Sequence, residues 1–151
     1  MGILDTGDSV FLLDGATGAI RWANGDIGTY SMRVIPLDDV SGDGVPDVAV
    51  ASWDDRAHVL SGVDGAHLWA APTGGDVWAI DRVDDVTGDG RSDVVFGSFD
   101  GHAYLADGTD GTILWALDAN GHKVLRIRGA PDIDADGSPE VVAGAQQLSS
   151  A

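Results

Sequence analysis

The chain has 151 residues, a formal net charge of −17 and no cysteine. Disulfides, thiolate metal sites, cysteine nucleophiles and lipoprotein-type acylation are therefore excluded, and so large an acidic excess disfavours nucleic acid and anionic membranes as partners. Apolar residues at 44% and 22 glycines describe a globular chain with many turns, not a disordered one.

Alternating and short apolar runs bounded by Gly and Asp predict strands along the whole length. In chain order they fall at 9–13 and 20–23, then at 32–37, 47–53, 57–60 and 67–71. A second set of four follows at 77–83, 93–99, 102–106 and 113–117, and the last pair lies at 124–129 and 140–145. No segment keeps a helical period over three turns.

Two motifs recur in step through these strands. An acidic loop reads Asp39-Val-Ser41-Gly-Asp43-Gly-Val45-Pro-Asp47, then Asp85-Val-Thr87-Gly-Asp89-Gly-Arg91-Ser-Asp93, then Asp132-Ile-Asp134-Ala-Asp136-Gly-Ser138-Pro-Glu140, with first residues 46 and 47 positions apart. Trp22, Trp69 and Trp115 recur 47 and 46 apart, each closing a glycine-rich turn: 14–18, 61–65 and 107–111. Shared periodicity marks a tandem repeat of about 46 residues. Four short antiparallel strands in that length is the period of a β-propeller blade. Leucine-rich and helical repeats fail on composition, and an immunoglobulin-like array needs about twice the period.

The expected fold is therefore an all-β propeller of four-stranded blades, with three blades' worth in one domain spanning 1–151. Its repeat pieces are 1–30 (third and fourth strands), 31–75 and 76–121 (full blades), and 122–151 (first and second strands). Three blades fall short of the ~4–8 that close a ring. Two copies pairing their terminal half-blades would make a six-bladed homodimer with two-fold symmetry; the alternative is an excised or designed propeller fragment.

Loop positions 1, 3, 5 and 9 offer side-chain oxygens and position 7 a carbonyl. The candidate ligands are Asp39, Ser41, Asp43, Val45 and Asp47; Asp85, Thr87, Asp89, Arg91 and Asp93; and Asp132, Asp134, Asp136, Ser138 and Glu140. Gly44, Gly90 and Gly137 at position 6 permit the sharp turn. An all-oxygen set fits a hard cation that takes 6–8 oxygens, so Ca²⁺ is expected, up to three per chain. The helix-flanked calcium loop needs a bidentate Glu at position 12. Position 12 here is Val50, Phe96 and Ala143, which places the loop in a β-hairpin. An Asp/Gly turn that binds nothing is the competing reading for any one loop.

These loops, each followed by a β-run and a small-residue turn, resemble the FG-GAP (integrin-α-type, VCBS-like) propeller repeat. In that family the calcium hairpin joins the first and second strands of a blade. The family's Gly-Ala-Pro element would fall at 51–53, 97–99 and 144–146, without its proline. The segment Leu12-Leu-Asp14-Gly-Ala-Thr17-Gly18-Ala-Ile-Arg-Trp22 is similar to the quinoprotein-type tryptophan-docking motif, in which the indole packs between neighbouring blades.

No catalytic constellation recurs. His58, His67, His102 and His122 occupy non-equivalent repeat positions, and no nucleophile-elbow, zinc-protease or P-loop pattern is present. A glycosidase pair among Asp26, Asp54, Asp55, Asp76, Asp81 and Asp100 is the enzymatic alternative. Asp38 and Asp84 flank their loops and read as solvated or supporting groups. Trp78 reads as core and Trp53 as the better candidate for an exposed contact.

The expected function is thus non-enzymatic: a calcium-stabilised module offering a scaffold or a binding surface for protein or glycan. An accessory propeller of a secreted polysaccharide-active enzyme is the alternative. Weak all-oxygen calcium sites fill at extracellular levels of the ion, so an extracellular or periplasmic location is expected. The N-terminus shows neither the basic nor the apolar region of a signal peptide, as expected of a cytosolic protein or of a mature or excised piece, and no run reaches the ~18 apolar residues of a membrane span.

Overall fold

The computed structural model describes residues 9–28 and 30–147; residues 1–8, 29 and 148–151, which belong to the first and last repeat pieces, lie outside the described residues. Among the described residues every regular element is a strand: β1 (Val10–Leu13), β2 (Ile20–Asn24), β3 (Ser31–Pro36), β4 (Val48–Ser52), β5 (Arg56–Leu60) and β6 (His67–Pro72). There follow β7 (Val77–Val83), β8 (Asp93–Ser98), β9 (His102–Ala106), β10 (Ile113–Asp118), β11 (Lys123–Ala130) and β12 (Glu140–Gln146). These twelve match the predicted strands to within a residue or two at each end.

All pairing is antiparallel and sequential. β3–β6 form one four-stranded sheet and β7–β10 another, while β1–β2 and β11–β12 are two-stranded. The repeat is visible in the irregularities as well. The ladder slips at the same place in each first strand, leaving Met32, Trp78 and Leu125 unpaired. The turns before the recurring tryptophans are also closed alike: the Gly18, Gly65 and Gly111 amides donate to the Asp14, Ser61 and Asp107 carbonyls at 2.8, 2.9 and 2.8 Å.

The core lies between successive sheets. Val10, Trp22 and Ile27 meet Val50 and Leu60 in the first layer. Ala51, Val59 and Trp69 meet Ile80, Val94 and Phe96 in the second. Val95 and Leu105 meet Val124 and Ile127 in the third. Side chains alternate across a strand, so Val50 faces one layer and Ala49 and Ala51 the next. That two-sided burial explains why β4 and β8 read as almost unbroken apolar runs.

Candidate metal centres

Each acidic loop joins the first and second strands of its unit: β3 to β4, β7 to β8, and β11 to β12. The position-1 carboxylate organises the loop. Asp39 accepts the Gly42, Asp43 and Gly44 amides at 2.7, 3.0 and 2.8 Å. Asp85 accepts those of Gly88, Asp89 and Gly90 at 2.6, 3.2 and 2.7 Å, and Asp132 those of Ala135, Asp136 and Gly137 at 2.6, 3.2 and 2.9 Å. The Gly44 and Gly90 amides, most strongly, hold Asp39 and Asp85 below the usual carboxylate range. The position-6 glycines have φ of 89, 86 and 96°, as the pattern requires. Position 4 needs the same left-handed backbone, and there the third loop carries Ala135 at φ 64° where the others have Gly42 and Gly88.

Position 9 has a second role that the pattern did not reveal. Asp47 is buried; it accepts the Val40 and Ser41 amides at 3.0 and 2.9 Å through one oxygen and the Gly62 amide at 3.0 Å through the other. Asp93 repeats this with Val86, Thr87 and Gly108 at 2.7, 3.2 and 3.0 Å. Burial raises the Asp93 carboxyl above its ordinary value, against the pull of those amides. The position-9 aspartate thus clips the acidic loop to the glycine turn between the third and fourth strands of the same unit. In loop three, Glu140 accepts the Ile133 amide.

The positions treated as ligands are therefore not equal. Asp132, Asp134, Asp136 and Glu140 bring ligand oxygens within 4.8 Å of one another. The four-fold convergence predicted for every loop is found among acidic groups only there, within the described residues. In loops one and two the Ser41 and Thr87 hydroxyls instead donate to Asp39 and Asp85, both at 3.2 Å. At position 7, the Val45, Arg91 and Ser138 amides donate to Asp43, Asp89 and Asp136, each at 2.8 Å. Asp89 also accepts the Thr109 hydroxyl at 2.7 Å, the main reason its carboxyl lies low. The Arg91 side chain crosses to the Val40 carbonyl at 2.7 Å and so ties loop two to loop one.

The recurring tryptophans link unit to unit. The Trp22 indole N–H donates to the Gly62 carbonyl at 2.9 Å, and that of Trp69 to Gly108 at 2.8 Å. Each ring lies over the glycine that ends the same turn: a Cβ on Gly65 or Gly111 would sit 2.5 or 2.6 Å from a ring carbon. Trp22 and Trp69 are each 8% exposed, whereas Trp115 is 38% exposed.

Several of the remaining polar candidates have structural partners. His58 is buried in β5 with Nε2 3.0 Å from Asp54, and burial depresses its pKa. At the equivalent place Tyr104 donates to Asp100 at 2.6 Å; burial and then that bond raise the phenol, while the bond helps to lower the carboxyl despite its burial. His67 lies beside His58, ring centroids 5.1 Å apart. Asp38 pairs with Arg82 at 2.8 Å, and Asp81 with Arg128 at 3.5 Å. Burial and Asp55 push the Asp76 carboxyl upward.

Trp53 and Trp78 belong together, which sequence position alone did not show. Tyr30, Trp53, Trp78 and Phe99 form a ladder with centroid spacings of 5.2, 5.6 and 5.0 Å, and Lys123 caps it 4.1 Å from the Phe99 ring. Trp78 reaches the ladder from the bulge in β7; bulges re-aim side chains in this way.

No protein-family profile matches the chain, and no curated protein sequence matches it. Among solved structures it is similar to Sqt1 of Saccharomyces cerevisiae, a WD40 propeller, with a TM-score of 0.60 over 73% of this chain at 13% identity. The fold is β-propeller-like. The chain spans 32% of the Sqt1 chain, and identity this low shows the fold alone.

Proposed function

We propose that this propeller-like module is stapled by divalent cations, Ca²⁺ above all, and serves as a non-enzymatic scaffold presenting its loops to a protein or glycan outside the cytosol. Each full unit is one blade of the ring in this reading. The observation that carries it is the cluster of Asp132, Asp134, Asp136 and Glu140 within 4.8 Å, at the place where two other units carry the same loop. Its donors are all oxygen, and four carboxylates this close repel one another unless a cation lies among them. Loops one and two present less charge, because Ser41 and Thr87 replace an acid, and fewer free lone pairs, because Asp47 and Asp93 are already held by three amides each. They should bind more weakly than loop three.

Equilibrium dialysis with calcium tests this. Asp136→Ala should abolish the tightest site, and Asp43→Ala and Asp89→Ala should each remove about one further ion. Unchanged stoichiometry in Asp136→Ala would sink the proposal.

A further inference from the structure

Among the described residues two strands that hold interior places in the repeat, β1 and β12, stand at a sheet edge. β1 pairs with β2 alone and β12 with β11 alone. In both full sheets the strands at these two places, β4 with β5 and β8 with β9, pair with each other. The side chains beside the free edges are bare in the same complementary sense. Phe11 and Leu13 are 51% and 53% exposed, while His58 and Leu60 at the same places in the repeat are 2% and 0% exposed. Tyr104 and Ala106, the other equivalents, pack into the core between the two full sheets. Trp115, Leu117, Leu105, Val141 and Ala143 line an apolar groove of about 230 Å³ at the corresponding site one unit on.

We propose that a second copy of this chain closes both edges, its β1–β2 hairpin adding to β12 while its β12 receives β1–β2 in return. The inference rests on the blade reading above and gives it a partner and a register. Val48, Val50 and Ser52 face Leu60, His58 and Arg56 in the first full sheet. By the same register Val141, Ala143 and Ala145 face the partner's Leu13, the partner's Phe11 and the partner's Ser9. Phe11 and Leu13 then fill the groove. The Trp115 indole donates to the carbonyl of the partner's Gly15 and lies on the partner's Gly18, as Trp22 does on Gly62 and Gly65. Glu140 accepts the amide of the partner's Gly15, as Asp47 and Asp93 accept those of Gly62 and Gly108. The third acidic loop is thus incomplete without the partner. The receiving turn is already built, with the Asp14 amide 2.8 Å from the Ala19 carbonyl and the Gly18 amide 2.8 Å from that of Asp14.

Gly15 gives a selective test. A Cβ on Gly62 or Gly108 would lie 1.8 or 2.0 Å from the Pro46 or Ser92 carbonyl oxygen. Gly15 meets nothing within 4 Å in the single chain and has no positive φ, so Gly15→Ala leaves the lone chain unharmed and clashes only in the assembly. Light scattering at high micromolar concentration, in physiological salt with millimolar calcium, should give twice the 15.5 kDa chain mass. Gly15→Ala should weaken the dimer by roughly 100-fold, since overpacking recurs at two symmetric contacts, with an unchanged circular dichroism spectrum. Ser9→Cys combined with Ala145→Cys should give a covalent dimer on oxidation.

A folded wild type of 15.5 kDa, or of three or more copies, overturns the proposal. An undiminished Gly15→Ala dimer or a missing crosslink does the same. A folded monomer that still takes up calcium removes this inference alone; a dimer that takes up none removes the cation reading alone.

Discussion

Ala135 holds a left-handed backbone that the other two loops assign to glycine. A side chain in that conformation costs roughly 1–2 kcal/mol, partly offset by the entropy a glycine loses on folding. Ala135→Gly should therefore stabilise the calcium-free protein by about 1 kcal/mol, read as a higher urea midpoint. His58 gives a pH prediction. Burial puts its folded pKa below the ordinary 6.5, so above that pH it is neutral in both states. As pH falls from 6.5 through the folded value, the unfolded chain gains a proton that the native state refuses, and stability drops. His58→Tyr should let a phenol take Asp54 as Tyr104 takes Asp100, and the loss between pH 7.5 and 5.5 should flatten in denaturant titrations. Both residues were visible in the sequence. Their roles were not, because a φ angle and a buried carboxylate partner follow from the loop and sheet around them.

At the scale of strands and turns, the recurrent indoles fix how one sheet meets the next. Trp69→Ala removes a buried ring and leaves the Gly108 carbonyl without its donor, so a loss of about 3–5 kcal/mol is expected in thermal unfolding. Trp115→Ala should cost the isolated monomer far less, because that ring is partly exposed. The strands themselves were legible, since period-2 patterning and Gly/Asp punctuation are local signals. The bulges at Met32, Trp78 and Leu125 were not, and so the ladder joining Trp53 to Trp78 was missed. The clip from Asp47 to Gly62 escaped for a related reason. It spans 15 residues and exists only once β4 and β5 are in register.

For the whole molecule, the repeat period and its phase foretold four-stranded sheets flanked by two half-sheets, because stacked repeats bury their faces on their neighbours. That phase also raised the pairing of the outer half-sheets with a second copy, but its register and the side chains that meet across it become arguable only from exposed side chains at defined places. A net charge of −17 opposes compaction, and the cations proposed for the loops would relieve it. At a hundredfold excess of calcium over its Kd, each filled site contributes about 2.7 kcal/mol. EDTA should therefore lower the melting temperature by roughly 10 °C if one site is filled, and a calorimetric scan with and without chelator measures it. Gly62 joins these scales. Its amide is held by Asp47 and its carbonyl by the Trp22 indole, so a single residue belongs both to an acidic loop and to the seam between units. Gly108 does the same between Asp93 and Trp69. If cations fill the loops as proposed, their occupancy would be wired to an intrinsic chromophore, and the module would carry its own optical gauge of how full its loops are.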